Sequence, residues 1–177
     1  MDKEPSEESS RLERLWAPWR ERYVTAPKTR AAALECFICS GLVGKEDRAN
    51  LVVWRRPLST VVLNRFPYNN GHLLIAPRAH KAALAGLTAA ENAELMETLT
   101  RMVSLLDDLM HPDGYNIGLN LGQVAGAGLP GHLHWHLVPR WNGDTNFMPV
   151  LADTKVIVQS LDALYGLLRE RLPGSVS

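Results

Sequence analysis

The chain lacks an excess of charge of either sign, because its 19 basic side chains are balanced by 19 acidic ones. Proteins that bind nucleic acid through its phosphate backbone carry clustered positive charge, so this balance argues against that class of function. No run of apolar residues approaches the ~20 that a bilayer-spanning helix needs. The opening segment, MDKEPSEESS, also lacks the basic-then-apolar build of a secretion signal. We therefore expect a cytoplasmic protein that binds neither nucleic acid nor a membrane.

Length and composition indicate one globular domain. The sequence has 177 residues, of which 46% are hydrophobic and 21% are charged, a composition typical of a folded soluble protein. Since a domain has about 150 residues, we expect a single domain over residues 31–177. Residues 1–30 are expected to form a partly disordered extension, in which Trp16 and Trp19 are too large and apolar to remain in water.

Cysteine is scarce: the chain has only two, Cys36 and Cys39, which form the motif C-F-I-C. A disulfide across so short a loop would remove little entropy from the unfolded chain, so a stabilising disulfide is not expected. Three interpretations stay open: a redox pair, half of a metal site, or two plain buried thiols. The segment that follows, S-G-L-V-G-K-E-D, is a poor helix start, which argues against the redox pair.

The hydrophobic pattern predicts an α+β fold, with an antiparallel sheet, one long helix and a C-terminal helix. Thr88 and Glu91 have the spacing of a capping box at the start of the long helix, which is expected to end near His111. The predicted strands and the closing helix are as follows: strands over 51–54, 59–64, 72–76, 115–121 and 132–139, and a helix over 156–172.

Three of the six histidines alternate along the last predicted strand. Side chains at every second strand position share one face, at a spacing of about 6.6 Å, so His132, His134 and His136 are expected to form a row. Burying three imidazoles by chance would leave most of their ring nitrogens without partners, which argues against a purely structural role. Metal binding and nucleophilic catalysis both suit such a row.

A glycine-rich segment, G-Q-V-A-G-A-G-L-P, precedes the histidine row directly. Glycine lets backbone N–H groups approach an anion closely, so Gln123, Gly126 and Gly128 are candidate phosphate-binding positions. Placed before the row, this loop favours a phosphate cradle beside an imidazole that attacks phosphorus.

With these motifs the chain resembles the histidine triad (HIT) family. H-L-H-W-H-L-V matches the triad pattern, and the likeness extends to L-N at 63–64, N-G-H-L-L-I-A-P at 70–77, G-L-N at 118–120 and the glycine loop. It covers residues 36–141. The flanking segments L-W-A-P-W-R and R-W-N-G-D-T-N-F are more similar to the bacterial branch that includes diadenosine tetraphosphate phosphorylases.

The resemblance implies a role for each matching residue. His134 would be the nucleophile that attacks the α-phosphorus of a nucleotide, and His136 would neutralise charge and protonate the leaving group. His72 would orient the catalytic histidine. Asn64 and Asn120 match polar positions that contact ribose or phosphate.

The resemblance also implies a metal. Several family members hold structural zinc through a Cys-x-x-Cys pair and two histidines, which here correspond to Cys36, Cys39, His80 and His132. Two thiolates and two imidazoles make the closed tetrahedral set that zinc favours in structural sites.

The implied function is cleavage of dinucleoside polyphosphates through a nucleotidyl-histidine intermediate, by phosphorolysis or by hydrolysis, in a homodimer with paired sheets. One alternative is a nucleoside phosphoramidate hydrolase, and another is a nucleotide-binding regulatory protein with incidental activity. A purely structural zinc module would leave His134 and His136 unexplained.

Overall fold

The computed structural model of the protein describes residues 36–145, 147–148 and 156–174. The predicted extension over 1–30 and its two tryptophans lie outside the described residues. The boundary near residue 30 therefore stays a prediction.

The described residues form one five-stranded antiparallel sheet with the strand order β1-β2-β3-β5-β4. The strands are β1, Val52–Arg55; β2, Ser59–Leu63; β3, Leu73–Pro77; β4, Gly114–Leu119; and β5, Trp135–Arg140. In β1, β2 and β3 every residue is buried, because both faces of this part of the sheet are covered. The predicted α+β architecture is confirmed.

Helices flank the sheet: α1, Phe37–Val43; α2, Asp47–Asn50; a 3₁₀ turn, Leu84–Gly86; α3, Ala89–Met110; and α4, Leu161–Arg171. The predicted capping box is present, with the Thr88 hydroxyl accepting from the Glu91 N–H. The helix α3 ends at His111 as predicted, and it buries Leu95, Met102 and Leu106 in the main core. Among the described residues, no helix has both the length and the apolar character needed to cross a bilayer.

Most boundaries differ from the sequence-based expectation by one or two residues; β4, for example, ends at Leu119 rather than at residue 121. Three differences are larger. The last strand begins at Trp135 rather than at residue 132, because the backbone N–H of Leu133 donates to Lys81 O (2.7 Å) instead of to a strand. The closing helix begins at Leu161, after the cap formed by Ser160. The segment after Cys36 is helical over Phe37–Val43, against the expectation of a poor helix start, although it ends after seven residues.

Glu91 predicts how acid affects the start of α3. Its carboxylate accepts from Lys81 Nζ (2.6 Å) and from Thr88 N–H (2.7 Å), and these contacts lower its pKa to about 2. A carboxyl with a lowered folded-state pKa stabilises the fold above its unfolded pKa, and the benefit is lost as pH falls through about 2. In Glu91→Gln the side-chain oxygen can still accept from Thr88 N–H, but the negative charge is lost. We therefore expect a lower melting temperature than that of the parent at pH 7, and a difference between the two that shrinks toward pH 2. Thermal melts across pH, with the exposed Glu170→Gln as control, measure this; a deficit independent of pH would contradict it.

Candidate active site

Two histidines from neighbouring strands are in direct contact. His72 immediately precedes β3, and His136 lies in β5 opposite Leu74 on one side and Gly118 on the other. The two rings are joined by His72 Nε2 and His136 Nδ1, which are 2.9 Å apart.

The hydrogen bonds around His72 determine which nitrogens carry protons. The backbone N–H of Tyr68 points at His72 Nδ1 (3.0 Å), and an amide N–H can only donate, so Nδ1 is an acceptor. Neutral His72 therefore carries its proton on Nε2 and donates it to His136 Nδ1. Neutral His136 in turn carries its proton on Nε2.

His136 Nε2 is buried and has no hydrogen-bond partner among the described residues. Burial, and next the neighbouring His134, lower the pKa of His136 to about 4, so the ring is neutral near pH 7. A buried N–H without an acceptor is costly unless a ligand supplies one. This donor marks a position for a ligand oxygen.

His134 lies one residue before β5 and is buried, with 7% of its surface exposed. Its Nδ1 is 2.8 Å from the carbonyl oxygen of His132, so in the neutral ring Nδ1 carries the proton and Nε2 has the lone pair. The rings of His134 and His136 have centroids 5.0 Å apart at 64°. The two rings thus combine an unprotonated nitrogen with a neighbouring N–H donor.

Of the two asparagines that were predicted to contact ribose or phosphate, Asn64 contacts His72 and Asn120 contacts the glycine-rich loop. Asn64 Nδ2 is 3.2 Å from His72 Nδ1, while its Oδ1 accepts from Phe66 N–H (2.9 Å). Asn120 Nδ2 donates to the carbonyl of Gly126 (3.4 Å) and so bridges the glycine-rich loop.

The loop itself needs glycine at two positions. Gly122 and Gly126 have φ values of +78° and +89°, which side chains with a Cβ rarely adopt. Gln123 and Gly128 are exposed in this loop. Their contacts to a ligand stay a prediction.

A cleft of about 250 Å³ lies beside Asn64. Two aromatic rings, Phe37 of α1 and Phe66 of the turn after β2, line it and are 47% and 79% exposed. The remaining lining is mostly apolar: Leu51, Val62, Leu63 and Leu74, with Asn50 and Arg65. Exposed aromatic rings around an apolar cleft suit a flat heterocycle.

Sequence reasoning missed the aromatic side chains of the site. Phe37 lies inside the C-F-I-C motif and Phe66 follows L-N, so their adjacency to predicted site residues was the available signal. Tyr68 was also missed, and its ring stacks on His136 with a centroid distance of 5.7 Å.

The four predicted metal ligands, Cys36, Cys39, His80 and His132, come together with their ligand atoms all within 4.8 Å of one another. Cys36 Sγ is 3.2 Å from His132 Nδ1, and Cys39 Sγ is 3.3 Å from His80 Nδ1. Since His132 Nε2 donates to the carbonyl of Pro77 (2.8 Å), its Nδ1 lone pair faces the thiols.

The chemistry of this donor set fits zinc. Burial, together with Cys36, raises the pKa of the Cys39 thiol to about 11, so without a cation this thiol does not ionise near neutral pH. A bound metal reverses that preference, because thiolates are its ligands. Two imidazoles beside the thiols favour the metal interpretation over a redox pair or plain buried thiols.

His132 belongs to both centres. Its ring faces the cysteines, while its carbonyl accepts from His134 Nδ1. The candidate metal ligands and the His134 ring are therefore connected through one residue.

Comparisons with known proteins identify the family of this chain. A model of the HIT domain matches residues 45–143. The chain is 40% identical over 156 residues to the AP-4-A phosphorylase of Mycobacterium tuberculosis (strain ATCC 25618 / H37Rv), covering 85% of this chain and 79% of the relative. It is 30% identical over 93 residues to the bis(5'-nucleosyl)-tetraphosphatase [asymmetrical] of Schizosaccharomyces pombe, covering 52% of this chain and 50% of the relative.

The fold is shared with solved structures. A Zn-bound histidine triad family protein from Mycobacterium smegmatis superposes with a TM-score of 0.61 at 23% identity, covering 78% of this chain and 94% of that chain. A histidine triad nucleotide-binding protein from Sulfolobus tokodaii also gives a TM-score of 0.61, at 24% identity, covering 76% and 90% of the two chains.

Proposed function

Because this chain belongs to the HIT domain family, we propose that it is an enzyme that cleaves dinucleoside polyphosphates such as diadenosine tetraphosphate. The observation that carries the proposal is the pairing of an unprotonated His134 Nε2 with the unpartnered N–H of His136. The relatives named as phosphorylase and tetraphosphatase support this substrate class.

In the first half-reaction, His134 Nε2 attacks the α-phosphorus and forms a P–N bond as the bond to the leaving oxygen breaks. The leaving nucleoside polyphosphate departs as an anion, and His136 Nε2–H donates a hydrogen bond to its developing charge. His72 holds His136 in the tautomer that this step needs.

In the second half-reaction, an oxygen of phosphate or water attacks the same phosphorus and the P–N bond breaks. Since His134 Nδ1 keeps its proton against the carbonyl of His132, the phosphorylated ring is cationic and leaves as neutral imidazole. Where water is the acceptor, the proton that it loses passes to the released imidazole or to solvent. One difficult transfer thus becomes two easier ones.

The substrate would occupy the two features next to the histidines. The nucleoside fits the cleft between Phe37 and Phe66, with Asn64 beside the ribose. The phosphates lie along the glycine-rich loop, at Gln123, Gly126 and Gly128, whose shape Asn120 maintains.

We also propose that Cys36, Cys39, His80 and His132 hold structural zinc, which would tie α1 to the segment before β5. A homodimer with paired sheets is supported by β4, which has one strand neighbour within the described sheet and exposes Ile117. A cytoplasmic location stays a prediction of the sequence.

Product analysis tests the proposed activity. Purified protein is incubated with diadenosine tetraphosphate, with and without inorganic phosphate. ADP plus ATP formed only with phosphate means phosphorolysis, whereas AMP plus ATP without phosphate means hydrolysis. Two ADP would require cleavage at the β-phosphorus and would contradict attack by His134 on the α-phosphorus. If neither set of products forms and adenosine 5'-phosphoramidate is cleaved instead, the phosphoramidate hydrolase alternative replaces the proposal. That alternative is represented by a relative named adenosine 5'-monophosphoramidase hnt1, which is 25% identical over 109 residues. Nucleotide binding without turnover of either substrate would favour the regulatory protein.

Phe66→Ala tests the nucleoside cleft. Stacking of a base on an aromatic ring is worth about 1–3 kcal/mol, so we expect KM to rise about tenfold with kcat nearly unchanged. Steady-state kinetics measure the two constants, and Met96→Ala, an exposed apolar residue on α3, is the matched control. An unchanged KM would place the base elsewhere.

A further inference from the structure

Asp144 is the centre of a hydrogen-bonded cluster outside the histidine pair. Arg140 donates to both of its carboxylate oxygens, from Nε to Oδ2 (2.6 Å) and from Nη2 to Oδ1 (2.8 Å). Asn69 Nδ2 donates to the same Oδ2 (2.7 Å) and to the carbonyl of Pro139 (3.1 Å). The Asp144 side chain is only 9% exposed. Charge-assisted hydrogen bonds at a nearly buried site are strong, so this cluster is rigid.

The partner that Asp144 holds, Asn69, belongs to the turn before His72. The carbonyl of Asn69 accepts from His72 N–H (3.3 Å), and its Oδ1 accepts from Asn70 N–H (3.0 Å). Gly71 has a φ of +77°, and a Cβ there would lie 3.0 Å from both Met110 and Pro139. The turn therefore packs closely against the end of β5, and the side chain of Asn69 binds it there.

The same turn carries the amide that sets the protonation of the histidine pair. Tyr68 N–H, one residue before Asn69, is the donor to His72 Nδ1. We propose that Asp144 and Asn69 are positioning residues that hold this amide in place and thereby fix the tautomers of His72 and His136. This inference rests on the proposed roles of the two histidines.

The tautomer matters because it decides what His136 presents to the substrate. Without the Tyr68 amide, His72 Nδ1 would lose its shorter contact (3.0 Å) and keep the longer one from Asn64 Nδ2 (3.2 Å). A larger share of neutral His72 would then carry its proton on Nδ1, with Nε2 as an acceptor. His136 would then adopt the tautomer with its proton on Nδ1, which donates to His72 Nε2 and leaves a lone pair on His136 Nε2. A lone pair facing phosphate oxygens repels them, whereas an N–H stabilises them.

The experiment breaks the contact between Asn69 and Asp144 from each side, with the variants Asn69→Ala and Asp144→Ala. The ¹⁵N chemical shifts of the histidine rings and kcat are then measured. We expect a single tautomer in the parent protein, with protons on Nε2 of both histidines, and a mixture in each variant. The kcat should fall about tenfold, a fraction of the 10²- to 10⁴-fold that a positioned proton donor contributes. In its ring shifts the double variant should match the more impaired single variant, because each substitution alone already breaks the Asn69–Asp144 contact.

Asp113→Asn is the matched control, since Asp113 contacts the turn after β5 that also carries Asp144, by accepting from Asn142 N–H (2.7 Å). It should keep the parent tautomers and kcat. Asn69→Ala leaves the Arg140–Asp144 ion pair intact and is the variant to use if Asp144→Ala does not fold. Unchanged ring shifts in Asn69→Ala, or a parent protein with protons on Nδ1 of the pair, would overturn the inference. A parent protein that cleaves no dinucleoside polyphosphate would instead refute the proposed function, while the ¹⁵N shifts would still decide the tautomer.

Discussion

Replacing His134 with alanine is expected to lower turnover of diadenosine tetraphosphate by at least about 10³-fold, or ~4 kcal/mol in the barrier. The reason is that His134 Nε2 is the unprotonated nitrogen beside the unpartnered donor of His136, and the variant has no group to form the P–N bond. A covalent nucleotide trapped on the parent protein by acid quench should be absent from the variant. Steady-state rates and intact-protein mass spectrometry measure both effects.

The fold should survive this change, because within the described residues the hydrogen bond of the His134 ring is a local one, to the carbonyl of His132. His111→Asn is the matched control: it removes an exposed histidine at the end of α3, and asparagine tolerates the left-handed backbone of that position. Its rate should equal that of the parent. A His134→Ala protein that turns over within about tenfold of the parent, or that still carries covalent nucleotide, would show that another residue is the nucleophile.

Local patterns predicted much of the fold. The capping box of Thr88 and Glu91 depends on residues three apart in the chain, and the structure forms it as expected. The start of β5 was predicted too early, because a regular alternation of histidines extends across residues that bond elsewhere. Leu133 donates to the carbonyl of Lys81, a partner more than 50 residues away, and no local pattern contains that information.

The candidate site, like the fold, was predicted in part from local motifs. The identity of its histidines and cysteines follows from motifs, and the structure brings the four metal ligands together. The protonation of each ring could not be predicted, because it depends on which backbone group each nitrogen meets. The backbone N–H of Tyr68 determines the protonation of His72, and the carbonyl of His132 determines that of His134. Both are single backbone groups that the fold places beside a ring nitrogen. The Asn69–Asp144 contact likewise joins residues 75 positions apart.

Removal of the metal is expected to act first on stability. We expect about one zinc per chain, as a closed four-ligand site requires. Cys36→Ser should lower the melting temperature by at least about 10 °C, because the site joins α1, the segment after β3 and the segment before β5, and zinc binding contributes directly to folding. Elemental analysis and thermal melts measure these effects. Ser40→Ala, an exposed change in the same helix, should leave both unchanged.

The activity that remains in folded Cys36→Ser protein reports how far the two centres are coupled. His132 would bind the proposed metal through its ring, and its carbonyl accepts from His134 Nδ1, so loss of a ligand should reduce kcat without abolishing it. The residues that react with substrate are all retained, and the closed site offers no open position for water or substrate. Protein prepared without chelators that contains no zinc, and in which both thiols react freely, would refute the metal site. The role of His134 would survive that result, because its nitrogen is oriented by a backbone carbonyl and not by the cysteines.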